Sequence, residues 1–137
     1  MTLSAQEAHQ SAQPGDCTIG WKVDPEQRRE LLLQFPPRYP QPVADHVTLS
    51  TKVAADSGLP GDNLGEIVGR ADDGRGVEAL VVRIGGTTDR PDGSTYHITW
   101  SLAEGRQARE SNDVIGSCGW EDFDLPEPVM LKPARLK

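Results

Sequence analysis

The sequence predicts an α+β fold, a single compact domain built on a mostly antiparallel curved sheet with two or three helices. Its 137 residues are enough to enclose one hydrophobic core. Several segments alternate apolar and polar side chains with the period of a strand, whereas helical signals occur in only a few places. The 14 glycines and 11 prolines divide the chain into short elements joined by turns.

The N-terminal segment, residues 1–15, is polar and rich in Ala, Gln and Ser. We expect it to form a flexible tail, which leaves residues 16–137 as the single domain. No long repeat and no low-complexity tract divides that domain further.

A short helix is predicted over residues 24–34. Asp24 can cap its N-terminus, and Pro25 suits its first turn. The three leucines at 31–33 would supply its buried side, and the prolines at 36–37 end it.

The remaining elements follow from alternation and from turn residues. The segment VEALVVRI is the clearest strand, because it is rich in β-branched residues. Three prolines near the C-terminus predict at most a short strand at the edge of the sheet there. We predict strands over residues 44–52, 64–70, 77–84 and 95–102, a helix over 104–115, and an edge strand over 129–131.

The charge balance restricts the partners. With 21 acidic residues against 14 Lys and Arg, the net charge is −7, which disfavours duplex DNA and anionic membrane surfaces. No apolar run approaches the roughly 20 residues of a membrane span, and the N-terminus lacks a secretory signal pattern. Cys17 and Cys118 match no metal-ligand spacing, and we expect two reduced thiols. We therefore expect a cytoplasmic monomer.

Two segments share one short pattern, in which a His and a Thr are separated by one apolar residue. The segments are HVTL, which contains His46 and Thr48, and HITW, which contains His97 and Thr99. Both fall in predicted strands, where residues i and i+2 point to the same face. In each copy the imidazole and the hydroxyl would therefore face one space while the apolar residues pack behind them.

Two such segments side by side would surround one cavity with two imidazoles and two hydroxyls. Because imidazole titrates near neutrality, one ring can be neutral while the other is protonated. The neutral ring can take a proton from water, and the protonated ring can donate one to a leaving oxygen. The hydroxyls can hold the non-bridging oxygens of a phosphate. The pattern thus suits phosphodiester hydrolysis without a metal.

Two other interpretations compete with this one. A lone His-x-Thr on a strand is usually a sheet residue with a satisfied polar face. A metal site formed by His46, His97 and Asp45 is the second alternative, but on a regular strand Asp45 should point away from His46.

The paired motifs HVTL and HITW resemble the 2H phosphoesterase superfamily. They look most like the cyclic phosphodiesterase domain of fungal and plant tRNA ligases and its small stand-alone relatives, over about residues 39–116. The resemblance implies a two-lobed fold with one motif on a central strand of each lobe and the phosphate bound between them. It also implies catalysis by His46 and His97, phosphate binding by Thr48 and Thr99, and no required metal or cofactor.

We therefore predict hydrolysis of a 2′,3′-cyclic phosphate on a small nucleotide or an RNA end. The alternative is a non-catalytic module that binds a phosphorylated nucleotide or nucleic-acid end in the same cavity. Ser111 and Asn112 could either cap the helix after the second motif or line the cavity, and Arg109 is expected to be a surface charge. Tyr96 and Trp100 should be core residues, because they lie on the opposite face of the strand from His97.

Overall fold

The computed structural model describes residues 2–136, which form three helices and seven strands. The helices are α1 (Ala5–Ser11), α2 (Pro25–Gln34) and α3 (Glu110–Cys118). The strands are β1 (Pro14–Val23), β2 (Gln41–Pro42), β3 (His46–Val53), β4 (Leu64–Asp72), β5 (Val77–Arg83), β6 (His97–Leu102) and β7 (Glu121–Arg135). The α+β class with a mostly antiparallel sheet is confirmed.

All seven strands belong to one sheet, in the order β2-β6-β3-β1-β7-β4-β5. Each neighbouring pair in this order is antiparallel. A further antiparallel pairing of β5 with β6 closes six of the strands into a ring, and β2 pairs with the last two residues of β6. The sheet therefore curves until its ends meet.

The core lies inside this ring. Trp21, Tyr96 and Trp100 are almost fully buried there, and the ring of Tyr96 meets that of Trp21 edge-on at 5.8 Å. A second apolar cluster lies under α3, where Val114 and Ile115 pack on the other face of β4 and β5. Strand β5 is consequently buried on both faces, which explains why its sequence is almost continuously apolar.

Helix α2 forms as predicted, and the side chain of Asp24 accepts a hydrogen bond from the Gln27 N–H at its start. The predicted buried side is only partly correct. Leu31 is 1% exposed, whereas Leu33 is 82% exposed. Because consecutive helical residues are about 100° apart, Leu31 and Leu33 lie about 200° apart around the helix and cannot face the same core.

The N-terminal segment differs from the expected flexible tail. Residues 5–11 form helix α1, which begins with a reciprocal pair of hydrogen bonds between Ser4 and Glu7. Ala8 is completely buried, so the helix packs on the core rather than extending into solvent. Strand β1 follows directly, and the alternation of buried Ile19, Trp21 and Val23 along it is a signal that the sequence interpretation missed.

The C-terminal strand is also different from the prediction. Strand β7 is fifteen residues long and lies between β1 and β4, not at the edge of the sheet. Residues 121–130 pair with β4, whereas residues 131–135 pair with β1. Each half is therefore hydrogen-bonded to a neighbouring strand on one side only. A proline, which has no N–H to donate, is tolerated where its nitrogen faces the side without a partner.

Helix α3 starts at Glu110, six residues later than residue 104, where the sequence predicted it. Gly105 has φ of 82°, a left-handed conformation that no helix contains. The intervening residues form turns, with the Arg106 N–H bonded to the Ala103 carbonyl.

No helix in residues 2–136 is long and apolar enough to cross a membrane. Cys17 and Cys118 are both free.

Candidate active site

The two His-x-Thr segments meet where β3 runs beside β6. Val47 pairs with Ile98 in antiparallel register, and this single residue pair joins the two strands. Both side chains are fully buried in the core. Because side chains alternate along a strand, the residues on either side of this pair point to the opposite face.

The four predicted site residues occupy that opposite face. The antiparallel register sets His46 across from Thr99. By the same register, Thr48 lies across from His97. One cavity of about 670 Å³ is lined by all four side chains. The repeated motif therefore produces a nearly two-fold arrangement of imidazole and hydroxyl around one space.

The ring of His97 is held in one tautomer. Its Nδ1 lies 2.9 Å from the backbone carbonyl of Thr95, and because a carbonyl can only accept, Nδ1 carries the proton. The neutral ring then has its lone pair on Nε2. Burial lowers the pKa of His97, and the nearby positive charge of Arg90 and the other imidazole lower it further, against the opposing effect of the Thr95 carbonyl. His97 is therefore neutral at physiological pH and able to accept a proton.

His46 has a different environment. Its Nδ1 lies 3.0 Å from the Asp45 carboxylate, which is also 2.8 Å from the Lys22 ammonium group. Burial opposes ionisation of Asp45, but the hydrogen bonds from Lys22 and His46 outweigh it and lower the pKa of this carboxyl. An ionised Asp45 orients the His46 ring and gives its protonated form a counter-charge.

This contact corrects the prediction that Asp45 points away from His46. Strand β3 begins only at His46, and the preceding Ala44 has φ of 47°, so the regular alternation does not extend back to Asp45. The carboxylate can therefore fold beside the imidazole. Residues 2–136 nevertheless contain no group of three or more His, Cys, Asp or Glu side chains placed to hold a metal ion.

The start of α3 covers the second motif. Thr99 Oγ1 lies 2.8 Å from the Ser111 hydroxyl and donates a longer bond of 3.3 Å to the Ala108 carbonyl. Asn112, one residue further, lines the cavity. Of the two roles left open by the sequence, Asn112 takes the second and lines the cavity, whereas Ser111 is buried and contacts the Thr99 hydroxyl; within residues 2–136 no side chain caps the start of α3 by a hydrogen bond.

Three cationic side chains line the cavity as well. Arg109 is exposed at the surface, as expected, and it also lines the cavity; it forms no salt bridge with any residue in the range 2–136. The side chain of Arg90 is only 10% exposed and bonds to Asp92 and Ser94. The third is Lys22.

Sequence reasoning missed two of these cations. Arg90 lies in a turn-rich loop without periodicity, so nothing local relates it to either motif. Lys22 lies on β1, and the alternation around Trp21 could have revealed both the strand and the outward direction of Lys22.

Comparison of the chain with protein-family models, with curated proteins and with solved structures found no match in any of the three. What the cavity can do must therefore be inferred from its own side chains. These offer one imidazole that accepts a proton, one imidazole paired with a carboxylate, several hydroxyls and three cations. Such a set can hold an anion and move protons on both sides of it.

Proposed function

We propose that this protein is a metal-independent phosphodiesterase of the 2H type, acting on a 2′,3′-cyclic phosphate of a nucleotide or RNA end. The observation that carries the proposal is the meeting of both His-x-Thr segments at the Val47–Ile98 pair, around one cavity. The two-lobed arrangement of that superfamily belongs to the same proposal, with β3 carrying one motif and β6 the other.

His97 is the general base in this proposal. Its Nε2 lone pair takes a proton from water as the water oxygen forms a bond to phosphorus. The lowered pKa of His97 keeps this lone pair free near neutral pH, and burial is the main cause. Because Nδ1 donates to the Thr95 carbonyl, the ring cannot rotate without losing a hydrogen bond.

His46 is the general acid. In its protonated form Nε2 donates a proton to the ribose oxygen as the bond from that oxygen to phosphorus breaks. The products are a ribose hydroxyl and a phosphomonoester, with His97 protonated and His46 neutral. Exchange of protons with solvent then restores the starting state. Asp45, hydrogen-bonded to Nδ1, balances the charge of His46 before the transfer.

The hydroxyls and cations hold the phosphate between the two rings. Thr48 and Thr99 face the cavity from opposite strands, and the weak bond from Thr99 to the Ala108 carbonyl can be exchanged for one to a phosphoryl oxygen. Arg90 and Arg109 supply positive charge where negative charge develops. This explains how an acidic protein can bind an anionic substrate.

The test is hydrolysis of the four 2′,3′-cyclic nucleotides in the presence of EDTA. Wild-type protein should turn over at least one of them, and His97→Ala or His46→Ala should lower kcat by on the order of 10²- to 10⁴-fold. His9→Ala is the matched control, because His9 lies outside the cavity and bonds to Ser50. Full turnover in folded His46→Ala would exclude the paired mechanism.

The second candidate is a binding module without turnover. It is favoured by the cations of the cavity, which would hold a phosphorylated nucleotide or nucleic-acid end even if no proton moved. A cyclic nucleotide that raises the melting temperature without being hydrolysed would select this function.

The cellular setting belongs to the proposal too. The net charge of −7 disfavours duplex DNA and membrane surfaces as partners, and two free cysteines are typical of a reducing compartment. We accordingly propose a cytoplasmic monomer that takes small nucleotides or single RNA ends.

A further inference from the structure

A second cavity adjoins the first, and Lys22 and Asp45 separate the two. It has a volume of about 680 Å³ and lies between the start of α2 and the outward face of β1 and β7. Lys22 and Asp45 line both cavities, so their salt bridge forms the boundary between them. Any chain that left the first cavity across this boundary would enter the second.

The strand register lines up three basic residues across this boundary. Lys22 of β1 pairs with His46 of β3 on one side and with Lys132 of β7 on the other. Cross-strand partners point to the same face of a sheet, so the three side chains form one row. The row extends from His46 on β3 to Lys132 on β7, a distance of two strand spacings, or about 10 Å.

The two lysines of this row differ in their salt-bridge partners. Lys22 forms a salt bridge with Asp45, whereas Lys132 is exposed and forms no salt bridge with any residue from 2 to 136. Two lysines placed directly opposite each other destabilise a sheet. A lysine in this position, on a chain with a net charge of −7, is well suited to an anionic ligand.

An apolar surface accompanies the free lysine. Met130 lies two residues before Lys132 on β7, so it points to the same face, and it is 55% exposed. A thioether makes favourable contacts with aromatic rings. Proteins bind single-stranded nucleic acid with cations along the backbone and side chains that contact the bases, most often aromatic rings; here Met130 is the side chain placed to make the base contact.

We propose that this second cavity is a subsite for a second ribonucleotide, the 5′ neighbour of the nucleoside that carries the cyclic phosphate. Lys132 would contact the phosphodiester that joins the two, and Met130 would lie against the base of the second nucleotide. The inference rests on the proposed function, because it takes the reacting phosphate to lie between His46 and His97. The preferred ligand is then the end of an oligoribonucleotide rather than a free cyclic nucleotide.

The subsite is tested by binding, in a variant that cannot turn its ligand over. In His97→Ala protein, calorimetry compares adenosine 2′,3′-cyclic phosphate with the dinucleotide adenylyl-adenosine 2′,3′-cyclic phosphate. The dinucleotide should bind about tenfold more tightly. Adding Lys132→Gln should remove that advantage. It should also reduce the slope of a plot of log K against log salt concentration for the dinucleotide by about 0.7 in magnitude, the value for one contact to a single-strand phosphate. Mononucleotide binding should not change.

Lys52→Gln is the matched control, since Lys52 is exposed on β3 and lines neither cavity. Equal affinities for the two ligands, failure of both to bind, or equal effects of Lys132→Gln and Lys52→Gln would each overturn the subsite. Tighter dinucleotide binding that depends on Lys132, in a protein whose wild type hydrolyses neither ligand, would support the subsite and overturn the proposed hydrolysis.

Discussion

Val47 of β3 and Ile98 of β6 are the residue pair at which the two copies of one short motif come together. Each lies between the His and the Thr of its own motif, and each is fully buried. The same two residues therefore support the core on one face of the sheet and set the spacing of the polar residues on the other. Stability and site geometry are coupled at this pair.

Ile98→Ala should lower the free energy of unfolding by about 2 to 5 kcal/mol, because it removes buried side-chain volume at the closing point of the ring. Urea denaturation measures this change. Leu33→Ala removes a leucine that is 82% exposed and should change stability by no more than about 0.5 kcal/mol. Equal effects of the two substitutions would mean that the Val47–Ile98 pair does not contribute to the core as the structure indicates.

Much of this geometry was predictable because a strand has a period of two. That period alone places each imidazole beside its hydroxyl and sends Trp100 and Tyr96 into the core, as the structure shows. The start of α2 was equally clear from Asp24 and Pro25, because capping is decided by adjacent residues.

Features that depend on distant partners were not predictable. The prolines of β7 indicated an edge strand, because the sequence does not reveal that each half of the strand pairs on a different side. The contact between Asp45 and His46 depends on where β3 begins. Arg90 reaches the site through the path of its loop, which no periodic pattern describes.

The acidic limb of the pH dependence of kcat/KM should lie below about pH 6.5, the ordinary value for imidazole. Burial lowers the pKa of His97, and so do the charges of Arg90 and the other imidazole, despite the Thr95 carbonyl. The base therefore stays neutral, and active, to lower pH than a free histidine would. Initial rates at substrate concentrations well below KM measure the limb, and a midpoint above pH 7 would contradict the assignment of His97 as the base.

The stability of the protein should fall as the pH decreases below about 6.5, in part because of the same residue. Unfolded His97 binds a proton near that pH, whereas the lowered pKa in the folded state means that the native protein binds it only at lower pH. Between these two values the unfolded state holds more protons, so its free energy drops relative to the folded state. Urea midpoints over this range should vary less with pH in His97→Asn than in wild type. Parallel curves for the two proteins would be inconsistent with a lowered pKa.

Asp45→Asn should leave the fold intact and lower kcat by on the order of 10²-fold, since the ring of His46 loses both its orienting acceptor and its counter-charge. Asp56→Asn, a change at an exposed carboxyl outside the cavity, is the control. A kcat equal to that of wild type in folded Asp45→Asn would contradict this role of Asp45.

Arg90 should act on the site through its charge as well as through its hydrogen bonds. After burial, its positive charge is the main contribution from a charged group that lowers the pKa of His97. Arg90→Gln should therefore move the acidic limb of kcat/KM to higher pH. It should also reduce kcat/KM by on the order of 10²-fold, because positive charge at the phosphate is lost.

The variant Arg90→Lys separates these two effects. It keeps the positive charge but cannot reproduce the bonds that the guanidinium makes to Asp92 and Ser94, so its acidic limb should stay near that of wild type while its rate falls. Arg83→Gln is the control, because Arg83 pairs with Glu66 outside the cavity. If Arg90→Gln and Arg90→Lys gave the same pH profile, the charge of Arg90 would have no influence on the base, and its role would be limited to holding its loop against β3.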